Sequence, residues 1–261
     1  MLRIKQARLS RSVSSFDFPG AYGLGEYTDP MKPCIFFGMY AHSTKPYDYK
    51  ALMFHRGLAV VVWCGSDALL MPGGYFSKIK RRPNIKHIAI GGFIERDLKR
   101  IGIDCVRIPL TPTQPKPDPQ PLGRSIYCYL PDANKHQREF YGGRYIDDLK
   151  KRLPKEKFIL TKPHKYSQTQ LKELYKQSYI GLRLTKHDGL SNTVMELGAM
   201  GRMCLYNDDV PNAIPWKNTE DIIRAIQREK KLRGQTKTDI ANAVGNFLDV
   251  SDDWLYTKFW E

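Results

Sequence analysis

"KHDGLSNTVMELGAMGR" (186–202) sets Asp188 and Glu196 eight positions apart, separated by a Gly-Leu-Ser-Asn turn. The apolar run "YIGLRL" (179–184) precedes it and reads as a strand ending near Leu184. "TKHDGL" then forms a loop, and Ser191 or Asn192 suits the cap of a helix running through Glu196 to Met200. Strand, loop and helix in that order make a βα unit. In open α/β sheets the carboxyl ends of the strands are where ligands bind.

The residues of this loop and helix suit a phosphorylated ligand. Free N–H groups of Ser191, Asn192, Thr193 and Val194, together with the helix dipole, favour an anion. Glu196 on the first turns can accept hydrogen bonds from vicinal hydroxyls, as on a ribose. Asp188 in the loop reaches hydroxyls of a second sugar, and Gly189 lets backbone approach closely.

The βα rhythm extends outward on both sides. Upstream, "CIFF" (34–37), "LAVVVW" (58–63), "KHIAI" (86–90) and "DCVRI" (104–108) read as strands, and "SIYCY" (125–129), "KFILT" (157–161) and "MCLY" (203–206) continue the pattern. Helices fit between them. Ile94, Leu98 and Ile101 make one stripe before the stop at Gly102, and Tyr145, Ile146 and Leu149 make another. Leu171, Leu174 and Tyr175 follow a capping-box start at Ser167 and Gln170, and Asn218 with Asp221 opens a further helix in the same way. "RIPLTPTQPKPDPQPLG" (107–123) carries six prolines from Pro109 to Pro121, which favours an extended, semi-rigid connector between two domains.

"HDGLSNTVMELGAMGR" resembles the donor-site signature of retaining GT-B glycosyltransferases, in which a second acid follows the first by eight positions ahead of an Ala-rich helix ending in Gly. The order of "ELYKQSYIGLRLTKHDGLSN" and the strand, helix and Pro-rich crossing of "KHIAIGGFIERDLKRIGIDCVRIPL" are similar to the same family. The resemblance covers roughly residues 84–230, with its specific part confined to 186–202. It implies that Glu196 holds the ribose of a nucleotide-diphosphate sugar, and that Asp188 with the loop amides of Gly189 and Leu190 contacts the transferred sugar. The first acid is Asp where the family has Glu, and Ser191 replaces its usual Pro.

The implied fold is α/β, two Rossmann-like domains with parallel sheets facing a cleft. Residues 1–33 form an N-terminal arm or loop, 34–111 the acceptor-side domain, and 112–122 the linker. Residues 123–250 form the nucleotide-sugar-binding domain and 251–261 a tail. Enzymes of this architecture hold the departing diphosphate with Arg, Lys and helix amides in place of a metal, and the sequence has no tight Asp-x-Asp motif. Lys135, Arg138 and Arg144 after "SIYCY", and Arg183 and Lys186 beside the acidic loop, are the candidate cations. On the acceptor side, "VVVWCGSDAL" offers Ser66 and Asp67, and "GMYAHS" offers His42. Asp67 reads equally as an acceptor-side contact or base and as a helix N-cap.

Lys and Arg total 42 against 27 Asp and Glu, a net charge of +15, which predicts attraction to a polyanion. Basic residues gather at 78–87, 150–157 and 228–233. Two acceptor classes follow: a hydroxymethylated base in duplex DNA, held through phosphates and flipped out, or a glycan or glycolipid at an anionic membrane surface. A non-catalytic nucleotide-sugar or nucleic-acid binding protein is the third reading. The expected donor is a nucleotide sugar, with a UDP-sugar first, and no cofactor is expected. No run approaches the roughly 18 apolar residues of a membrane span. The N-terminus lacks the apolar block of a secretory signal, and the five cysteines read as reduced, so a cytoplasmic protein is expected.

Overall fold

The computed structural model describes residues 2–40, 47–70, 73–131, 134–161 and 166–261. Its chain divides into two compact units. Unit 1 comprises Met1–Gln114, His187–Leu190 and Leu248–Glu261; unit 2 comprises Pro115–Lys186 and Ser191–Phe247.

Unit 1 carries β1 (Gln6–Leu9), α1 (Phe18–Ala21), β2 (Gly25–Glu26), β3 (Cys34–Phe37), α2 (Tyr47–Phe54) and β4 (Ala59–Trp63). It continues through α3 (Asp67–Leu70), α4 (Gly73–Lys80), β5 (Ile85–Ala89), α5 (Gly92–Arg100) and β6 (Val106–Arg107). Its six-stranded sheet runs β2-β1-β3-β4-β5-β6, with every pairing parallel. Both faces of such a sheet are covered, so the central strands are apolar throughout: all of Cys34–Phe37 and Ala59–Trp63 are buried.

The expectation of an N-terminal arm is corrected here. "QARL" is an internal strand between β2 and β3, and it escaped the sequence pattern because four residues with Gln and Arg among them carry little apolar periodicity. The expected tail is likewise packed into unit 1. Ile4 N donates to Leu255 O at 2.7 Å, Thr257 N donates to Leu2 O at 3.0 Å, and Trp254 and Trp260 are buried.

Unit 2 carries β7 (Ser125–Tyr129), α6 (Lys135–Phe140), α7 (Gly143–Arg152), β8 (Lys157–Thr161), α8 (Gln168–Lys176) and β9 (Ser178–Leu182). It is completed by α9 (Asn192–Ala199), β10 (Met203–Leu205), β11 (Ala213–Ile214), α10 (Thr219–Lys230) and α11 (Thr238–Leu248). Its five-stranded parallel sheet runs β11-β10-β9-β7-β8. Both capping boxes expected from the sequence form, at Ser167 with Gln170 and at Asn218 with Asp221.

From Pro115 onward the proline-rich segment lies against unit 2. Asp118 N donates to Ala199 O (2.8 Å), Gln120 N to Met200 O (3.2 Å) and Leu122 N to Gln235 O (2.9 Å). Arg202, fully buried, fixes it further. Its guanidinium donates to the carbonyls of Gln120, Pro121, Tyr175, Lys176, Ser178 and Met200, and burial lowers its pKa to about 10.

Candidate active site

Strand order locates the site in unit 2. The chain leaves β7 to one side for β8 and to the other for β9, so the order reverses between β7 and β9. That reversal is a topological switch point, the place where open α/β sheets bind ligands at their carboxyl ends.

Arg183 follows β9 at this point and is buried. Its guanidinium lies over the rings of Tyr129, the last residue of β7, and Tyr141, with centroid distances of 4.1 and 4.6 Å. The two rings meet edge to face at 5.3 Å. Such stacking holds a cation in place over the aromatic faces. Gly142, with φ 75°, makes the turn into α7 here, and a Cβ on it would stand 2.6 Å from Leu184 O. Only glycine fits that conformation and approach.

Helix α9 begins beyond the loop. Ser191 is its N-cap in an extended conformation, yet the side chain makes no capping hydrogen bond. The first amides of the helix therefore have no side-chain cap, the condition for an anion site. Asn192 Oδ1 is buried without a hydrogen-bond partner among the described residues. An acceptor in that state costs about 1–3 kcal/mol unless a donor reaches it.

Glu196 lies one turn further, buried, with both carboxylate oxygens held. Gln168 Nε2 donates to Oε1 at 2.7 Å, and Tyr175 Oη donates to Oε2 at 2.9 Å. Burial, with the nearby Tyr127 hydroxyl and the Glu196 carboxylate, raises the Tyr175 pKa, so the phenol stays protonated and donates. Behind it stands Tyr127, whose ring meets that of Tyr175 at 4.9 Å and whose hydroxyl accepts from Thr161 Oγ1 at 2.6 Å. The sequence pattern placed Tyr175 only in an apolar stripe. A buried phenol needs a polar partner, which was the signal for its second role.

Other expected cations are placed differently. Arg138 makes a two-pronged pair with Asp147, at 2.6 and 2.7 Å, in an exposed position. Arg144 is exposed, with its guanidinium 4.7 Å from the Tyr145 ring centroid and 2.9 Å from its hydroxyl. Lys135 opens α6 and Lys186 ends the loop segment of unit 2, both exposed. A depression of about 530 Å³ lined by Asn207, Pro215, Trp216, Lys217 and Asp221 contains none of the expected site residues.

In unit 1, residues 187–190 form a tight local structure. Asp188 Oδ1 accepts from Gly189 N at 3.0 Å, and His187 Nε2 stands 2.8 Å from Asp97 Oδ2. A Cβ on Gly189 would meet Cys64 O at 2.3 Å, so its lack of a side chain serves a backbone approach within the protein, where a ligand approach was expected.

Asp67 is fully buried. Its oxygens accept from the amides of Met39 (3.0 Å), Cys64 (3.1 Å), Gly65 (2.8 Å) and Ala68 (3.1 Å). An N-cap side chain would accept from the second or third amide of its helix; this carboxylate instead opens α3 and clamps the ends of β3 and β4 together. That placement corrects the alternative of a base facing an acceptor, because the carboxylate has no surface. Burial outweighs the four amides and pushes its pKa up to about 6. Ser66 is half-buried beside it, near Tyr40. His42 lies outside the described residues. Among the described residues, no group of three or more His, Cys, Asp and Glu side chains is placed to hold a metal ion. No described helix is long and apolar enough to cross a membrane.

No protein-family model matches the chain, and no curated protein matches it. Solved structures do. TarM superposes with a TM-score of 0.53 at 10% identity, covering 88% of this chain and 55% of TarM. A point mutant of S. aureus TarM, in complex with fondaparinux, α-GlcNAc-glycerol and UDP, superposes with a TM-score of 0.50 at 10% identity, covering 87% of this chain and 54% of its own. The chain thus spans about half the length of the structures it matches. At that identity the likeness establishes the fold, an α/β chain of two Rossmann-like, parallel-sheet units of the GT-B-like class.

Proposed function

We propose that the protein is a glycosyltransferase that takes its sugar from a nucleotide diphosphate. The observation that carries this reading is Glu196, a buried carboxylate pre-oriented by Gln168 and Tyr175 on the helix that starts at the switch point of unit 2. A carboxylate so held accepts from the two vicinal hydroxyls of a ribose without first paying for its own ordering. The uncapped amides of α9 and the stacked Arg183 are suited to the diphosphate, where charge builds as it departs. Asn192 Oδ1 would accept from a donor hydroxyl.

UDP is the favoured nucleotide, since the structurally similar TarM has been solved with UDP. Asp188 is assigned to the transferred sugar from the spacing of the two acids, and a retaining, metal-independent route accompanies that assignment. Asp67 takes a positioning role in this scheme, holding the ends of β3 and β4.

A net charge of +15 supports an acceptor that is a polyanion or lies on one. Two acceptor classes meet that description: a hydroxymethylated base in duplex DNA, and a glycan or glycolipid at an anionic membrane. The deciding experiment is nucleoside diphosphate release from UDP-, GDP- and ADP-sugars, with hydroxymethylated duplex, with anionic glycolipid vesicles, and with neither. Release from a UDP-sugar that Glu196→Ala abolishes is the expected result. No release from any donor under any condition would leave a binding protein on this fold.

A further inference from the structure

Unit 1 presents a surface that the nucleotide site does not use. Tyr47 and Phe54, at the two ends of α2, are 65% and 72% exposed, and Met31 is 68% exposed. We propose that this surface docks the protein onto an anionic phospholipid bilayer.

Helix α2 buries Tyr49 and Leu52 and turns Tyr47, Lys50 and Phe54 outward, positions three and seven apart on one face. Its one acid points elsewhere: Asp48 accepts from Ser10 Oγ at 2.6 Å and lies 3.7 Å from Arg8. Beyond the helix end, Arg56 N and Gly57 N donate to Pro30 O at 2.8 and 3.0 Å, which sets Met31 next to the exposed Arg56. Arg82 donates to the carbonyls of Met53 and His55 and so pins the end of α4 against the end of α2. Its neighbour Arg81 is exposed there as well.

In the other basic clusters several cations are engaged in ion pairs. Lys230 and Arg233 hold Glu156, and Arg152 holds Glu220 at 2.6 Å. On the α2 surface exposed apolar groups and exposed cations coincide. Isolated exposed apolar residues are ordinary. Apolar side chains set among cations are what inserts between anionic headgroups.

Charge alone would suit a nucleic acid equally, and the apolar groups decide between the two. A strand-binding surface stacks successive bases on aromatic faces within a basic groove. Here Tyr47 and Phe54 project from a convex helix about 10 Å apart along its axis, too far for adjacent bases. Met31 has no π face to offer. A bilayer accepts all three. The docking surface stands independently of the transferase reading, although it favours the membrane-borne acceptor.

The test is co-sedimentation of the full chain with vesicles of equal phosphatidylglycerol and phosphatidylcholine, against vesicles of phosphatidylcholine alone. Wild type should partition about ten-fold more strongly into the anionic vesicles. The double variants Met31→Ser with Phe54→Ser, and Arg56→Glu with Arg81→Glu, should each lose about ten-fold of that binding. All four positions are exposed, so the thermal midpoint and UDP affinity should stay at wild-type values, and those two readouts separate a failure of docking from a failure of the nucleotide site. Equal sedimentation by wild type and the serine variant would overturn the proposal. So would a serine variant that loses single-stranded DNA binding while keeping its vesicle binding, which would make the surface a nucleic-acid platform.

Discussion

Tyr175 donates its hydroxyl to Glu196 Oε2 across 2.9 Å, tying the helix before β9 to the helix after it. The bond sets the rotamer of the carboxylate, and Gln168 holds the other oxygen from the start of the same helix. If Glu196 binds ribose, Tyr175→Phe should weaken UDP binding roughly 10- to 150-fold, the range expected for a lost hydrogen bond to a charged group. Glu196→Gln should cost at least as much. Calorimetric titration with UDP reads both directly, and unchanged affinity in both variants would remove Glu196 from the nucleotide site.

Asp67 makes a stability prediction whose sign is fixed by its environment. Burial raises its pKa in the folded state to about 6 from 3.8, so between those values the folded protein binds more protons than the unfolded one. The contribution of this group to stability is therefore greatest below the lower value and falls as pH rises, by up to about 3 kcal/mol. Urea unfolding from pH 3.5 to 7 should show the wild-type-minus-Asp67→Asn difference moving against the wild type over this window. A flat difference would mean that the carboxylate titrates normally.

Much of this architecture was legible in the sequence. β3, β4, β7 and β8 are apolar runs bounded by turn residues, and α8 and α10 begin with capping boxes, so local chemistry announced them. β1, β2 and β11 were not legible because, unlike β3, they lie in no sustained apolar run, and their neighbours in the sheet specify them more than their own pattern does. In the site, the helix with Glu196 could be read, since an acid at fixed spacing after a capped turn is a local feature. The partners of that acid could not. Tyr175, Gln168 and Tyr127 reach it through tertiary packing, from segments 21, 28 and 69 positions away in sequence. The six-carbonyl clamp of Arg202 was hidden for the same reason.

Arg202 is a buried cation held by six backbone carbonyls, and its replacement should be costly. Arg202→Met would leave the carbonyls of Gln120 and Pro121 without the guanidinium that holds them and release the proline-rich segment. A loss of about 3–5 kcal/mol in unfolding free energy is expected. Arg202→Lys should recover little of it, because an ammonium cannot reproduce the planar fork that reaches six acceptors. Chemical denaturation of both variants provides the check.

The five cationic candidates for the diphosphate differ in what already holds them, and that difference ranks them. Arg138 is committed to Asp147, and Arg144 lies exposed on Tyr145, so replacing either with alanine should change kcat/KM by less than about three-fold. Lys135 and Lys186 are exposed and conformationally free at their ends, and each should have an intermediate effect, mostly on KM. Arg183 is buried at the switch point, with its guanidinium over the rings of Tyr129 and Tyr141. A charge pre-oriented in a site of low dielectric acts most strongly where charge develops in the transition state. Arg183→Ala should therefore lower kcat about 100-fold or more. Arg183→Lys should rescue only part of that, since a lysine keeps the charge and loses the plane. If Arg138→Ala proves more damaging than Arg183→Ala, the phosphate side of the site lies on α6, and the Arg183–tyrosine cluster is a packing feature at the ends of β7 and β9.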